Sequence, residues 1–577
     1  MKRTDPQLLE VARGDRPADI VLRGGRVVNV FTREIEDVDV AIVGDRIAGL
    51  GSYDGQQIID LGGAFVAPGF IDAHMHVEST MLLPPEFVRV AAPHGTTGVV
   101  LDPHEIANVH GIPGIRLLMD QALGLPMNLF FTASSCVPSA PLETSGANLS
   151  AADLAPLFDD DRVIGLAEMM NFPGVVFGDA GVLEKIRLGL DRAMVDGHCP
   201  GLGGKQLNAY VSAGISSEHE STTVDEAREK LRRGMHLYIR EGSAARNVEA
   251  LVPLVTPENA HRISFCTDDR HPGDLIEHGH IDHVVRRAIS FGLDPITAIA
   301  MATLHTADHF RLGDLGGIAP GRHADLIVFE SLEDIRPDRV FFHGELIAEA
   351  GRFAGVIEPR PIDGSAIPIG TSVKLPDGLD ESRLRVDAPG GKIRVIEMDP
   401  HQIWTGQRNV EPNVVDGEIE GDTAGDILKM AVIERHRGTG NVGVGFVHGF
   451  GLRTGALGST VGHDAHNLAI VGTNDADMIA AARALEKAGG GQCVVKDGEV
   501  LALLELPIAG LISDQPGERV AEVQAGLRAA AAAIGCPHED PFMPLSFLSL
   551  PVIPKLKLTD LGLVDVEKFE VVPLAAE

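Results

Sequence analysis

The chain has 577 residues, of which 82 are acidic and 49 basic, a formal net charge of −33, with 44% hydrophobic and 23% charged residues. That excess of negative charge excludes nucleic acid gripped by its phosphates, which needs a basic surface, and no apolar run approaches the roughly 18 residues that span a bilayer. Single cores cluster near ~100–200 residues, so the length predicts two or three domains.

The N-terminal MKRTDPQLLEVARGDRP has no apolar segment after its basic residues, against a secretory signal peptide. Cys136, Cys199, Cys266, Cys493 and Cys536 are scattered and lack CxxC spacing, which suits reduced thiols in a cytoplasm. From Ala18 to Leu61, DIVLRGGRVVNV and VDVAIVGDRIAGLG are β-branched runs broken by GG and GD pairs, the pattern of short antiparallel strands.

Beyond Phe65 the rhythm changes. GTTGVVLDP, PGIRLLMDQALG, MNLFFTASS, LSAADLAPLF and VIGLAEMMN alternate strand and helix, which predicts parallel β/α units, and the span to about Arg311 has the size of a (β/α)8 TIM-like barrel. GIAPGRHADLIVFE and RVFFHGELIAEAGRF then return to short strands, and IEPRPIDGSAIPIGTSVKLPDGLD reads as a linker. The remainder predicts strands at KIRVIEMD, GVGFVHGFG and QCVVKDGEVLALLEL, and helices at DTAGDILKMAVIERH, DADMIAAARALEKA and GERVAEVQAGLRAAAAAIG. The expected architecture is α/β: a small discontinuous β-sandwich domain over 1–65 and 312–365, a barrel over 66–311, and a C-terminal α+β domain over 366–577.

Barrel active sites gather where strands end at their C-terminal rim, so polar residues closing apolar runs are the candidates. In PGFIDAHMHVEST, His74 and His76 fall on one face of a strand with period two, and two imidazoles on one face can share a metal. HxH alone also fits two satisfied core histidines. VIGLAE closes at Glu168, AMVDGH at His198, AGISSEH at His219 and HRISFCTD at Asp268; each singly also fits a cap, a first-turn carboxylate or a loop. Together they give four histidines and two carboxylates, the inventory of a two-metal hydrolytic site.

HxH after PGFID, a carboxylate on the fourth strand, His on the fifth and sixth and Asp on the eighth resemble the amidohydrolase superfamily, as do the flanking β-rich segments and GIAPGRHADLIVFE. Within it, AHMHVESTMLLPPEF, LDPHEIANVHG, GLAEMMNFPGV, GHCPGLGGKQLNAY, SSEHEST, CTDDRHPGDL and VHGFGLRTGALGSTVGHDAHN resemble the adenine deaminase family over nearly the whole length. Many superfamily members bridge their metals with a carboxylated lysine, whereas here Glu168 stands at that position unmodified.

The resemblance implies that His74, His76 and Asp268 hold one divalent metal and His198 and His219 the other, with Glu168 and a hydroxide between them. Of the adjacent Asp268 and Asp269, the first is taken as the ligand because related deaminases place it first. Nitrogen and oxygen ligands suit Mn²⁺, Fe²⁺ or Zn²⁺; the resemblance favours manganese or iron, with zinc second. The implied reaction is hydrolytic deamination of adenine to hypoxanthine and ammonia in purine salvage, with Asp268 accepting the proton of the attacking hydroxide.

A second acid must protonate the purine ring, and Asp102, His104 and Glu105 of LDPHE, after TTGVVL, are its candidates; Asp-Pro there also fits a plain turn. The alternative function is another amidohydrolase acting on a different purine or a cyclic amide. Glu78 to Thr80 are expected as rim surface, and GLGGKQLNAY either shapes the purine pocket through backbone amides or serves turn geometry. HDAHN, with His463 and His466, lacks the HExxH spacing of a zinc protease and is assigned a structural or solvent role. A homodimer or higher homo-oligomer is the general expectation.

Overall fold

The computed structural model describes residues 1–358, 360–400 and 402–576. Eight parallel strands form the central unit: Phe70–Met75, Thr96–Leu101, Asn128–Ala133, Val163–Met169, Val195–Gly197, Ser217–Glu218, His236–Arg240 and Ile263–Cys266, taken below as barrel strands 1 to 8. Strands 1 to 5 pair in succession, as do strands 6 to 8. The seam between strands 8 and 1 is closed by backbone bonds from Asp268 N to His74 O (3.0 Å) and from His76 N to Asp268 O (3.1 Å). Between strands 5 and 6, Ser216 N donates to Val195 O at 3.0 Å, so the sheet curls fully into a barrel. Its strands are apolar on both faces, as all-parallel strands covered by helices must be; TTGVVL of strand 2 is buried throughout.

Phe65–Pro68 does not join the barrel. It pairs antiparallel with Leu326–Phe329 and parallel with Arg26–Asn29, so chain from before and after the barrel meets in one seven-stranded sheet. A four-stranded sheet packs on it through Leu22, Val40, Ile42 and Ile47 against Val66, Leu326 and Val328, a sandwich with one shared core.

The C-terminal region is built on an eight-stranded mixed sheet, with helix Asp475–Ala488 on one face. The helix expected at DTAGDILKMAVIERH is instead the strand Ile427–Ile433, bonded on one side to Val442–His448 and on the other to Leu468–Gly472. Its seven residues include β-branched Ile and Val, and a central sheet position that pairs both edges and buries Leu428 to Ile433 overrides a helical reading of the same apolar content. The helices expected at Asp475–Ala488 and Gly517–Ala533 are present. Among the described residues no helix is long and apolar enough to cross a membrane.

Candidate active site

All six proposed ligands meet at the C-terminal rim of the barrel, each at most 4% exposed. His74 lies in strand 1 and His76 just beyond it, Glu168 in strand 4, His198 and His219 directly after strands 5 and 6, and Asp268 two residues past strand 8. Glu168 stands at the centre. Its Oε1 faces Nε2 of His74 (3.5 Å) and of His76 (3.3 Å), and its Oε2 faces Nδ1 of His198 (2.6 Å) and Nε2 of His219 (3.3 Å). Asp268 Oδ1 lies 3.0 Å from His76 Nε2 and 3.8 Å from His74 Nε2.

Ring orientation sorts the histidines. An imidazole lone pair lies in the ring plane, so two rings share an ion only if their planes can intersect at it. His74 and His76 are perpendicular (88°, centroids 5.0 Å apart), as nearly are His198 and His219 (73°, 5.4 Å). His74 and His219 instead stack at 4.3 Å and 20°. Outside the barrel, Asp45, His323 and His343 also bring ligand atoms together, but their two imidazoles are stacked at 4.3 Å and 23°.

The donor atoms fit cations. His74 Nε2, Glu168 Oε2 and both ring nitrogens of His198 and His219 are buried, and among the described residues their close polar contacts lack hydrogen-bond geometry. Leaving such groups unpaired in a protein interior is costly, and converging lone pairs of this kind are what a divalent ion satisfies. Burial disfavours a charged imidazole, yet Asp196 and Glu168 raise His74 well above the ordinary histidine value, and Asp268 and Glu168 do the same for His76. Conversely, burial would raise Glu168, but His198 and His219 hold it well below the usual carboxylate range.

The supporting contacts lie one layer out. Asp196 Oδ2, from strand 5, sits 3.3 Å from Nδ1 of His74, and Nδ1 of His76 lies 2.9 Å from the Asp102 carbonyl oxygen, which orients both rings with Nε2 inward. Arg240, closing strand 7 and 1% exposed, donates to Glu220 Oε1 (2.5 Å) and Asp269 Oδ2 (2.7 Å) and pairs with Asp268 Oδ2. Asp268 adopts φ 56°, a left-handed conformation uncommon outside glycine but tolerated by Asp, and the two backbone bonds of the barrel seam hold it there. Asp269 lines the same cavity and accepts from Ser79 Oγ at 2.5 Å.

LDPHE delivers its residues to the same chamber. Asp102 ends strand 2, Pro103 turns the chain, and His104 and Glu105 open helix His104–His110. His104 Nδ1 is 3.1 Å from Asp102 Oδ2 and 3.6 Å from Glu168 Oε1. Glu105 is met from the other side of the molecule: His463 Nδ1 is 2.6 Å from its Oε1, and His466 Nε2 pairs with its Oε2. HDAHN is therefore not a solvent-exposed turn but a buried loop packed on Glu105. Arg435, fully buried, donates to the carbonyl oxygens of Ser372 (2.9 Å), Ala509 (3.0 Å) and His466 and sets this loop over the barrel. Asp464 Oδ2 comes 3.7 Å from His104 Nε2; burial raises its carboxyl to about 7, opposed by His104 and reinforced by Glu105.

Two further expectations are corrected. Glu78, Ser79 and Thr80 are 3%, 6% and 0% exposed, not rim surface: Glu78 Oε1 accepts from Ile106 N at 3.0 Å, bracing the LDPHE helix from below. The Gly201–Tyr210 loop does not line the chamber. Gly201 and Gly204 donate to Glu226 and Glu229, and Tyr210 instead accepts from His198 N at 2.9 Å, fixing the strand 5 terminus. Arg240, Glu220, Asp196, His463, His466 and Asp464 were not singled out as site residues from the sequence. Arg240 closes the apolar run HLYIR, a strand-end signal of the same kind as Glu168; the C-terminal three carry no comparable local signal.

Residues 65–347 match the amidohydrolase family and residues 402–570 the adenine deaminase C-terminal domain. The chain is 48% identical over 572 residues to an adenine deaminase of Desulfatibacillum aliphaticivorans, covering 99% of each chain. It is also 48% identical over 571 residues to adenine deaminase 2 of Carboxydothermus hydrogenoformans, covering 98% of this chain and 99% of the relative. With a barrel closed around these converging side chains and similarity running the full length of both relatives, the chain belongs to the adenine deaminase family of amidohydrolases.

Proposed function

We propose that this protein hydrolyses adenine at C6, releasing ammonia and leaving hypoxanthine, in purine salvage. The observation that carries the reading is the pair of near-perpendicular imidazole couples facing opposite oxygens of Glu168, in a chain of this family. That arrangement supports His74, His76 and Asp268 as ligands of one ion, His198 and His219 of the other, and Glu168 as the bridge; the stacking of His74 on His219 speaks against those two sharing an ion. Bound there, two divalent ions would lower the pKa of water from about 15.7 to about 7 and so supply a nucleophile at neutral pH.

The protein's own groups then carry the protons. Asp268 pairs with Arg240 through Oδ2 and faces the ligand cluster through Oδ1, and it is the group assigned to accept the proton of the attacking water. Negative charge developing on the ring nitrogens needs a donor on the opposite side. Asp102, His104 and Glu105 form a bank of close polar contacts with His463 and Asp464, and proton delivery to the ring is assigned to this bank. Ammonia leaves as the C6–N bond breaks and the new C6–O bond is kept.

Mn²⁺ or Fe²⁺ is the expected native metal, with Zn²⁺ second: the nitrogen and oxygen donor set suits all three, and the family resemblance favours the first two. The three-domain division with boundaries near 65, 311 and 365, a cytoplasmic location and a homo-oligomeric state, dimer or larger, complete the proposal. Ammonia release from adenine by apo-protein reconstituted separately with Mn²⁺, Fe²⁺ and Zn²⁺ tests it. The expected result is turnover with manganese or iron; a folded protein carrying two metals per chain that releases no ammonia from adenine overturns it. A panel of adenosine, guanine and dihydropyrimidines separates adenine from other amidohydrolase substrates by relative kcat/KM.

A further inference from the structure

Strands 5 and 6 are the shortest of the barrel, Val195–Gly197 and Ser217–Glu218, yet they carry the two histidines facing Oε2 of Glu168. Backbone pairing does little to fix their separation: among the described residues a single bond, Ser216 N to Val195 O, joins them. The hydroxyls of Ser216 and Ser217 add bonds to Val195 O and the Asp196 carboxylate, both below the ends where His198 and His219 stand. Another device must set the spacing at the rim.

A buried cation stands at that place. Lys230, from helix Val224–Arg232, is 0% exposed, and an ammonium has three protons to give and no lone pair. Its Nζ donates to Cys199 O (2.9 Å) and Glu226 Oε1 (2.8 Å) and pairs with Glu218 Oε1 at 2.9 Å. Cys199 directly follows His198, and Glu218, also 0% exposed, directly precedes His219. The carboxylates tie back to the same strand ends: Glu218 Oε2 accepts from Cys199 N at 3.4 Å and its Oε1 from Ser221 Oγ at 2.6 Å, while Glu226 Oε1 accepts from Gly201 N at 2.8 Å. Successive strand side chains leave on opposite faces, and Glu218 is absent from the residues lining the chamber, so this node works from behind the ligands and touches no reacting atom.

The other ligand set is braced separately. His74 and His76 share one strand and its extension, Asp268 is joined to them by the seam bonds, and Asp196 orients the His74 ring. Stability alone does not account for the lysine, because a buried ion pair is often replaced by apolar side chains of similar volume at no loss. Resting on the ligand assignment above, we propose that Lys230 and Glu218 are a positioning pair that sets the distance between His198 and His219 and so governs affinity for the ion those two hold, and not for its neighbour. Metal–ligand distances tolerate departures of only about 0.2 Å, and the crosslink supplies the precision that two strands joined by one backbone bond lack.

The test measures Mn²⁺ binding to full-length apo-protein in wild type, Lys230→Met and the isosteric Glu218→Gln. Competition with a chelator gives the two dissociation constants, and anomalous scattering from crystals grown with Mn²⁺ gives the occupancy at each position. In Lys230→Met, affinity at the His198 and His219 position should fall about tenfold or more while the other changes by less than about twofold, and Glu218→Gln should show a severalfold fall at the same position. Should Lys230→Met fail to fold, Glu218→Gln decides. A merely structural role would weaken both ions together in folded protein, and that result overturns the proposal, as does retention of both ions at wild-type affinity. Wild type that binds fewer than two ions, or places neither at His198 and His219, overturns the ligand assignment beneath it.

Discussion

At the scale of single residues, Glu168 and Lys557 show how burial gives a charge opposite consequences depending on its partners. Glu168 touches four imidazoles through its two oxygens. Replacing it with the isosteric amide removes the negative charge that a bridging ligand must supply, so Glu168→Gln should lower bound metal and adenine turnover in parallel, by tenfold or more. Metal analysis of the purified variant checks this, and full retention of two ions would remove the bridging assignment.

Among the described residues Lys557 bonds only to carbonyl oxygens, and its depressed pKa has a stability consequence whose sign is fixed. An unfolded lysine binds its proton up to pH near 10.4, whereas the folded one releases it near 7. Between those values the unfolded state holds more protons, so this group makes folding more favourable as pH rises from 7, and below 7 the cost of burying the ammonium is present in full. Relative to Lys557→Met, the wild type should therefore gain roughly 2–3 kcal/mol between pH 7 and 9, measured by denaturant unfolding. A difference independent of pH would show that Lys557 is charged throughout.

At the scale of elements, the strand ends place the ligands and their spacing leaves no slack. Gly197, the last residue of strand 5 and the neighbour of His198, lies so close to strand 6 that a Cβ there would sit 2.3 Å from the Ser217 carbonyl oxygen and 2.7 Å from an Ile215 methyl. Backbone cannot swing aside as a side chain does. Gly197→Ala should cost about 1–3 kcal/mol and displace His198, so thermal stability and metal content should fall together. A fall in stability with both metals retained would mean that the strand gives way elsewhere. The LDPHE helix is held in the same manner, with Glu78 beneath Ile106 and the HDAHN loop above Glu105.

At the scale of the whole molecule, the barrel and the C-terminal region together line one chamber. Two ions bound only by the native state would stabilise it by mass action, about 2.7 kcal/mol for each at a free concentration a hundred times its dissociation constant. Chelation should thus lower the unfolding temperature as well as abolish turnover, and added Mn²⁺ should restore both. An unfolding temperature unmoved by chelation would place the ions outside the folding equilibrium.

The sequence by itself determined the barrel, its span and the six residues at its rim, because strand ends carry their signal locally: an apolar run stops at a residue that can bind a metal. Arg240, which closes HLYIR, obeys the same rule. The tertiary structure alone decided what lies opposite. His463, Asp464 and His466 reach Glu105 and His104 only because a buried Arg435 and a C-terminal sheet set their loop over the barrel, contacts spanning some 360 residues. The same distance hid the strand Ile427–Ile433, whose identity comes from its two sheet neighbours. Local periodicity records which face of an element is buried; it holds no record of which distant element buries it, and here that distant element roofs the active site.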